Sequence, residues 1–142
     1  MKIVIGSDLK GFKLKELIKM HLVQLGYEVK DLTPLKGNNY YDATLKVAEY
    51  IQANKEDKGI MIDEYGVGPF MIANKLKGII CANLFDEHSA RMTRSHNNTN
   101  MVTIGSGIVG DRLAEKIVET FAAANYDGGR HQIRVDMLNK MC

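Results

Sequence analysis

The sequence has few cysteines, no long apolar run and almost no excess of charge, and each absence excludes a class of protein. Its two cysteines, Cys81 and Cys142, show neither the spacing of a metal site nor a disulfide framework. The formal net charge is only +2, and no run of Lys and Arg forms a patch for nucleic acid or membranes. No apolar stretch reaches the roughly 18 residues that cross a bilayer. The apolar run near Met1 is too short for a signal-peptide core, so the sequence predicts a cytoplasmic protein.

Short apolar runs alternate with longer segments whose apolar residues have helical spacing. At 142 residues and 45% hydrophobic content, the chain is long enough for one well-buried core, predicted as a single domain over residues 1–142. The predicted strands are Lys2–Gly6, Tyr27–Leu32, Ile60–Ile62, Gly78–Leu84 and Met101–Ile104. Helices are predicted from Phe12 to Leu25, after a cap at Asp42, from Phe70, from Asp86, after a cap at Asp111, and over His131–Met141. This alternation predicts an α/β fold, a doubly wound open parallel sheet of about five strands with helices on both faces.

The stretch Gly59–Lys75 is the most informative part of the sequence. An apolar strand ends at two adjacent carboxylates, Asp63 and Glu64, and a glycine turn, Tyr65–Gly68, follows directly. In this geometry backbone N–H groups face a ligand at the carboxyl edge of a parallel sheet. A turn that needs glycine for steric reasons alone gives the same pattern. The carboxylates also have two interpretations, a general base or, more commonly, a solvated turn.

The loops after the first, third and fifth strands are expected to meet in one crevice, because the carboxyl ends of parallel strands share an edge. Asp8, the segment Asp63–Gly68 and the segment Gly105–Gly107 are therefore predicted to lie near one another. Asp8 either contacts a ligand there or caps the turn after its strand.

His96 is the histidine best placed for chemistry. It lies at a helix-to-strand junction beside two amides, where hydrogen bonds can orient its ring as an acid–base group. His21 and His88 are predicted to be surface residues on helices. Cys81 lies inside a predicted strand and is expected to be a buried core thiol rather than a nucleophile.

Arg130 and Arg134 are spaced four residues apart near the end of the sequence. On a helix they would project from one face and could hold a phosphate through several N–H donors. Two solvated arginines are the alternative. The same segment carries Ile133, Met137, Leu138 and Met141, which are expected to pack at a subunit interface.

Four sequence blocks resemble the ribose-5-phosphate isomerase B family. They are GVG-x-x-x-x-ANK (66–75), SARMTRSHNNTN (89–100), IVG (108–110) and GGRHQIRV (128–135), which together cover most of the chain after residue 59. The resemblance implies a doubly wound fold and a dimer-based assembly with sites between subunits. It also implies aldose–ketose isomerisation of a sugar phosphate, with neither a metal nor another cofactor.

One half of the family's pattern is missing from this chain. Leu9 stands where the family has a His, and Asp63 stands where the family has the Cys that moves the substrate proton. Tyr65 replaces the family's Thr, and Gly107 replaces an Arg. This pattern is similar to the branch of the family that assembles from two different subunits and interconverts galactose 6-phosphate and tagatose 6-phosphate. That similarity implies a B-type partner subunit carrying the Cys and the Thr.

The other half of the pattern is intact. The resemblance implies that His96 is catalytic and opens the sugar ring, and that Asn97, Arg130, Arg134 and Asp8 bind substrate. Two alternatives stay open. The chain could be a self-sufficient isomerase with Asp63 or Glu64 as base, since a carboxylate with a raised pKa can do enediol chemistry. It could also be a non-catalytic subunit that binds a sugar phosphate.

Overall fold

Five strands form one parallel sheet in the computed structural model, which describes residues 1–142. Along the chain the elements are β1 (Ile3–Ser7), α1 (Phe12–Gln24), β2 (Val29–Asp31), α2 (Tyr40–Ala53), β3 (Lys58–Asp63), α3 (Val67–Ala73), β4 (Cys81–Asn83), α4 (Glu87–Asn97), β5 (Met101–Gly105), α5 (Asp111–Ala123), a 3₁₀ turn (Gly129–His131) and α6 (Gln132–Lys140). The strand order is β2-β1-β3-β5-β4, and every neighbouring pair is parallel. This confirms the predicted fold class. None of the helices combines the length and the apolar content needed to span a bilayer.

The two faces of the sheet are covered by different helices because side chains alternate along each strand. Ile3, Ile5, Ile60, Ile62, Val102 and Ile104 face one cluster with residues of α1, α4 and α5. Val4, Met61 and Met101 face the other cluster, with residues of α2 and α3. Helix α2 lies very close to the strands, since a Cβ on Gly6 would come within 2.8 Å of Val47.

The boundaries of several elements differ from the sequence prediction. Strands β2 and β4 are shorter than predicted because each lies at an edge of the sheet and pairs with one neighbour only. Asp42 is not the cap of α2. The side chain of Asn39 accepts a hydrogen bond from the Asp42 N–H (2.8 Å), and the helix begins at Tyr40. Asp111 is the first residue of α5 rather than its cap.

Lys58 holds the carboxyl end of α5, which ends at Ala123. Its ammonium donates to the carbonyl oxygens of Phe121 (3.2 Å), Ala122 (2.8 Å) and Ala124 (3.0 Å). These carbonyls have no partner within the helix, and a cation there also favours the negative end of the helix dipole. Burial and the charge of Arg94 lower the pKa of Lys58 to about 8. The contact fixes where the segment leading to α6 leaves the body of the fold.

His21 is not a free surface residue, which corrects the sequence prediction. Its Nε2 lies 3.0 Å from a carboxylate oxygen of Glu119, and its Nδ1 lies 3.7 Å from Glu115. Both carboxylates are on α5, so His21 links α1 to α5. His88 is exposed and Cys81 is buried, as predicted.

A buried lysine joins α1 to the end of β2. Lys15 has no solvent exposure, and its ammonium donates to a carboxylate oxygen of Asp31 (2.8 Å) and to the carbonyl of Thr33 (2.6 Å). Lys19 donates to the same Asp31 oxygen (2.9 Å). Burial opposes ionisation of Asp31, but the hydrogen bonds from Lys15, Lys19 and Thr33 outweigh it, so the Asp31 pKa is lowered. The hydroxyl of Thr33 in turn accepts from the Ser7 N–H (2.9 Å), which connects this network to the end of β1.

Asp31→Asn is expected to lower the free energy of unfolding at pH 7 by about 3 kcal/mol, because it removes the closer of the two carboxylates that pair with the buried Lys15 ammonium and leaves only the more exposed Glu16 at 3.2 Å. The lowered pKa fixes the pH dependence of this difference. The contribution of Asp31 is complete above its ordinary pKa of 3.8 and disappears as the pH falls through the lower folded value. Denaturant unfolding of parent and variant between pH 2 and 7 measures it. Asp136→Asn, an exposed site on α6, is the control and should change stability by less than about 0.5 kcal/mol.

Candidate active site

The topology places the predicted site residues at two opposite edges of the sheet. In register, Ser7 lies opposite Ile62, and Asp63 lies opposite Gly105, so the ends of β1, β3 and β5 form one carboxyl edge. Each helix returns towards the amino edge, where the next strand starts. His96 lies in the last turn of α4, only a few residues before β5 begins. The chain therefore carries one group of predicted site residues at each edge.

Asp8 caps a turn at the carboxyl edge. Its carboxylate accepts a hydrogen bond from the Gly11 N–H (2.8 Å) just before α1. The Asp8 backbone N–H donates to the Ile62 carbonyl (3.3 Å), which holds the loop against β3. The structure therefore shows Asp8 as a turn cap. Its side chain is half-buried, and its contact with a ligand stays a prediction.

Asp63 is buried, so the solvated-turn interpretation of this residue is wrong. Only 8% of it is exposed, and its carboxylate accepts a hydrogen bond from the Gly66 N–H. The Thr103 hydroxyl donates to the Gly66 carbonyl (2.7 Å) and holds the same turn. Burial raises the Asp63 pKa and is the largest cause of the shift; the N–H groups of Gly66 and Tyr65 oppose it, and the charges of Asp8 and Glu64 reinforce it, so the pKa stays raised. The Asp63 carboxylate therefore stabilises the glycine turn through its hydrogen bond with Gly66.

The glycine turn fits tightly over the end of β5. Gly66 has a φ of +80°, and a Cβ there would lie 2.5 Å from the Asn83 side-chain oxygen. A Cβ on Gly105 would lie 2.5 Å from the backbone of Tyr65. The N–H groups of Ser106 and Gly107 donate to the Asp63 and Glu64 carbonyls (2.8 and 2.7 Å). The glycines here are required by close approach of two backbone segments.

Tyr40 is a residue of this edge that the sequence analysis did not single out. A Cβ on Gly68 would lie 2.7 Å from its ring, so the half-exposed ring covers the glycine turn. Tyr40 is the first residue of α2, and the amino end of that helix faces the carboxyl edge. The sequence analysis missed Tyr40 because it placed the start of this helix after Asp42, whereas the helix begins at Tyr40.

At the amino edge, His96 is held by the end of α4. Asn98 has a φ of +52° and ends the helix, because Asn tolerates the left-handed backbone conformation. The Arg94 guanidinium donates to the Asn98 side chain (2.9 Å) and to the Thr99 carbonyl (2.8 Å), which fixes this helix end. His96 is half-buried, and Asn97 is exposed beside it.

His131 stacks face to face on His96. The ring centroids are 4.3 Å apart and the ring planes differ by 13°. The segment before His131 is fixed to α4, because the Asp127 N–H donates to the Ser95 carbonyl (2.9 Å). Sequence reasoning missed His131, although its position in GGRH between two candidate phosphate ligands was a signal.

Asp127 completes a cluster of possible metal ligands with the two histidines. One ligand atom from each of the three residues lies within 4.8 Å of the others. Imidazole coordinates a metal through a lone pair in the plane of its ring. Two nearly parallel, stacked rings cannot both direct lone pairs at one ion. The geometry of the stack is therefore not that of a metal centre, and it leaves the ring nitrogens available for hydrogen bonds and proton transfer.

Arg130 and Arg134 lie on either side of His131, in the 3₁₀ turn and in the first turn of α6. Both are exposed, and neither forms an ion pair with a carboxylate of the chain. Two unpaired guanidinium groups beside the histidine pair provide several N–H donors for an anion. The structure thus brings His96, Asn97, Arg130 and Arg134 together at the amino edge and leaves Asp8 at the other edge.

The terminal helix α6 leaves its apolar side chains largely uncovered. Only Val135 is buried, whereas Ile133 is 71% and Met137 62% exposed. Leu138 and Met141 line the mouth of a mainly apolar cavity of about 450 Å³ between α6, α4 and the start of β4. The predicted packing of this helix at a subunit interface stays a prediction, and the chain itself supplies no cover for it.

The chain is similar over its whole length to known sugar-phosphate isomerases. Residues 3–138 match the family described as Ribose/Galactose Isomerase. A galactose-6-phosphate isomerase subunit LacA from Lactococcus lactis subsp. lactis is 54% identical over 142 residues, which is 100% of each chain. The crystal structure of a ribose 5-phosphate isomerase from Thermotoga maritima superposes with a TM-score of 0.93 at 37% identity, covering 99% of this chain and 98% of that one. The crystal structure of ribose-5-phosphate isomerase B from Mycoplasma genitalium with bound ribulose-5-phosphate superposes with a TM-score of 0.93 at 38% identity, covering 98% of this chain and 94% of that one.

Asp63→Asn tests the effect of burial on this carboxylate. Because the Asp63 pKa is raised, the folded chain binds a proton that the unfolded chain releases near pH 3.8. The stability of the parent relative to the variant should therefore fall as the pH rises from about 4 to 7. Denaturant unfolding of both proteins over this range measures it, and Asp31→Asn should show the opposite trend below pH 4. A relative stability of the parent that increases with pH would contradict the raised pKa.

Proposed function

The chain belongs to the ribose/galactose isomerase family, and on that premise we propose that it is one subunit of a hetero-oligomeric isomerase acting on galactose 6-phosphate and tagatose 6-phosphate. The Lactococcus lactis relative is named as a subunit of galactose-6-phosphate isomerase. The partner is a related B-type subunit that carries the Cys and Thr missing here. The coarser activity, isomerisation of a sugar phosphate, follows from the family alone.

One observation carries the proposal: the two groups of site residues lie at opposite edges of the same sheet. The six residues of β3 separate the edges by about 16 Å at ~3.3 Å per residue. Acid–base groups must come within about 3 Å of the atoms they serve. One chain therefore cannot apply both groups to one sugar phosphate. Two chains can, if the amino edge of one faces the carboxyl edge of the other.

Exposed apolar side chains near both edges support an interface there. At the carboxyl edge Leu9, Tyr65 and Ile108 are each more than half exposed. At the amino edge the apolar side chains of α6 lie beside Arg134. Apolar groups that flank a polar site on both surfaces are typical of a site shared between subunits.

In the proposed reaction His96 opens the pyranose ring. It accepts the proton of the anomeric hydroxyl as C1=O forms and the C1–ring oxygen bond breaks, and it returns that proton to the ring oxygen. The partner's Cys thiolate then takes the C2 proton, the electron pair forms the C1–C2 double bond, and O1 takes a proton from a neighbouring acid. The cis-enediol collapses when O2 gives a proton back to that group, C2=O forms and C1 takes the proton held by the Cys thiol. Each acid–base group of this kind typically accelerates the reaction about 10²–10⁴-fold.

Arg130 and Arg134 hold the 6-phosphate in this proposal, and Asn97 binds the sugar beside His96. The phosphate is remote from C1 and C2, so its binding energy serves to position the reacting carbons. At the other edge, Asp8 contacts the substrate of a second shared site.

The carboxyl edge of this chain argues against a self-sufficient enzyme. The Asp63 carboxylate is engaged by the turn that it shapes, and Leu9 and Tyr65 offer no replacement for the family's His and Thr. A purely binding subunit would need the arginines but not an oriented histidine. The stack of His96 on His131 therefore favours a catalytic role for the amino edge.

The chain alone is expected to show little or no isomerase activity on galactose 6-phosphate, and mixing or co-expression with a Cys-bearing partner should restore it. The rate of isomerisation of galactose 6-phosphate is measured for each chain alone and for the complex. Robust turnover by the lone chain that is abolished in Asp63→Asn would support the self-sufficient enzyme instead.

Arg130→Ala and Arg134→Ala should each weaken sugar-phosphate binding by the complex about 10- to 150-fold, since each removes a charge-assisted contact of roughly 1.5–3 kcal/mol. Isothermal titration with the sugar phosphate measures the affinity, and light scattering checks assembly, which should be unchanged. Arg112→Ala, at an exposed position of α5, is the control. A variant that binds as tightly as the parent would remove that arginine from the phosphate site.

A further inference from the structure

The stacking of His131 on His96 is a feature that the proposed ring-opening step does not by itself explain. The two rings come from separate elements, α4 and the 3₁₀ turn, yet they lie 4.3 Å apart and nearly parallel. The backbone hydrogen bond from Asp127 to Ser95 holds the two segments together at this point. A histidine whose ring only had to reach solvent or substrate would need no such partner.

We propose that His131 is a positioning residue for His96: it fixes the orientation of the His96 ring and carries the proton of the pair when a phosphate is bound at Arg130 and Arg134. This inference rests on the proposed function for the chemistry of His96. It extends that function by linking the phosphate site to the ring-opening residue.

The physics of stacked imidazoles supports this division. A neutral ring and an imidazolium attract each other face to face, whereas two imidazolium rings at this distance repel. One proton on the two rings is therefore favoured over two. A neutral His96 is the state that can accept the proton of the anomeric hydroxyl. The pair works when its proton is on His131.

The surrounding charges determine when His131 takes that proton. Desolvation and the neighbouring charges of His96, Arg130 and Arg134 lower the pKa of His131, and Asp127 opposes them. A phosphate bound by the two arginines brings negative charge next to the ring and reverses their effect. Substrate binding then favours an imidazolium at position 131.

The coupling is tested on the full chain with inorganic sulfate, a dianion that does not itself titrate near neutral pH. The ring C2–H signal of His131 is followed by NMR against pH. Sulfate is expected to raise the pH at which His131 titrates, and the double variant Arg130→Ala/Arg134→Ala should abolish this rise. A titration of His131 that sulfate leaves unchanged in the parent would overturn the coupling. This measurement needs no turnover, so it stands apart from the fate of the proposed function.

The positioning role is tested by turnover in the complex with the B-type partner. His131→Ala should lower kcat for cyclic galactose 6-phosphate about 10- to 100-fold and leave KM within about threefold, because the arginines still hold the phosphate. An open-chain aldose phosphate that cannot cyclise bypasses ring opening and should be turned over at close to the parent rate. His131→Phe keeps a flat ring over His96 but cannot carry a proton, so it should restore only part of kcat, with an altered pH profile.

The control is His88→Ala, which removes an exposed histidine from the first turn of the same helix and should behave as the parent. Circular dichroism and light scattering confirm that each variant folds and assembles. If His131→Ala keeps the parent kcat and pH profile on the cyclic sugar, His131 does not position His96. If it loses the open-chain analogue equally, its role lies outside ring opening, and the proposal is wrong.

Discussion

The common direction of the five strands is the constraint on which the rest of the structure depends. Because every strand pair is parallel, all strand ends meet at one edge and all crossover helices finish at the other. Loops with free backbone groups lie at the first edge, and helix ends carrying side chains such as His96 lie at the second. If one substrate needs both kinds of group, as in the proposed function, two sheets must come together around it. In that proposal the shared site is a consequence of the parallel topology.

The amino edge of the sheet has its own electrostatic requirement. Carbonyl groups at the ends of α4 and α5 converge there, and they attract cations. Lys58 and Arg94 supply these cations from a strand start and a helix end. Their hydrogen bonds fix the last turn of α4 and the exit from α5. Those are the two segments that bring His96 and His131 into contact, so the structural cations determine the geometry of the candidate site.

Much of the fold could be predicted from the sequence because its information is local. Apolar runs mark β1, β3 and β5, and Asn98 marks the end of α4 by its tolerance of a left-handed backbone. The errors concern residues whose environment is set at a distance. From the sequence alone Lys15 would be taken for a surface residue, but it is buried in contact with Asp31. No residue near Asp63 in the sequence indicates that Asp63 is buried. His96 was identified from its neighbours, whereas its stacking partner lies 35 positions away and depends on the path of the chain after α5.

The uncovered apolar face of α6 has a consequence for how such a protein would be maintained in a cell. An unassembled copy displays Ile133 and Met137 to the quality-control machinery, and an assembled copy would hide them if α6 packs at a subunit interface as predicted. Chaperones and proteases recognise exposed apolar segments of this kind. A surplus of one subunit over the other would then be removed by degradation, and the ratio of the two chains would be set by selective survival as well as by synthesis.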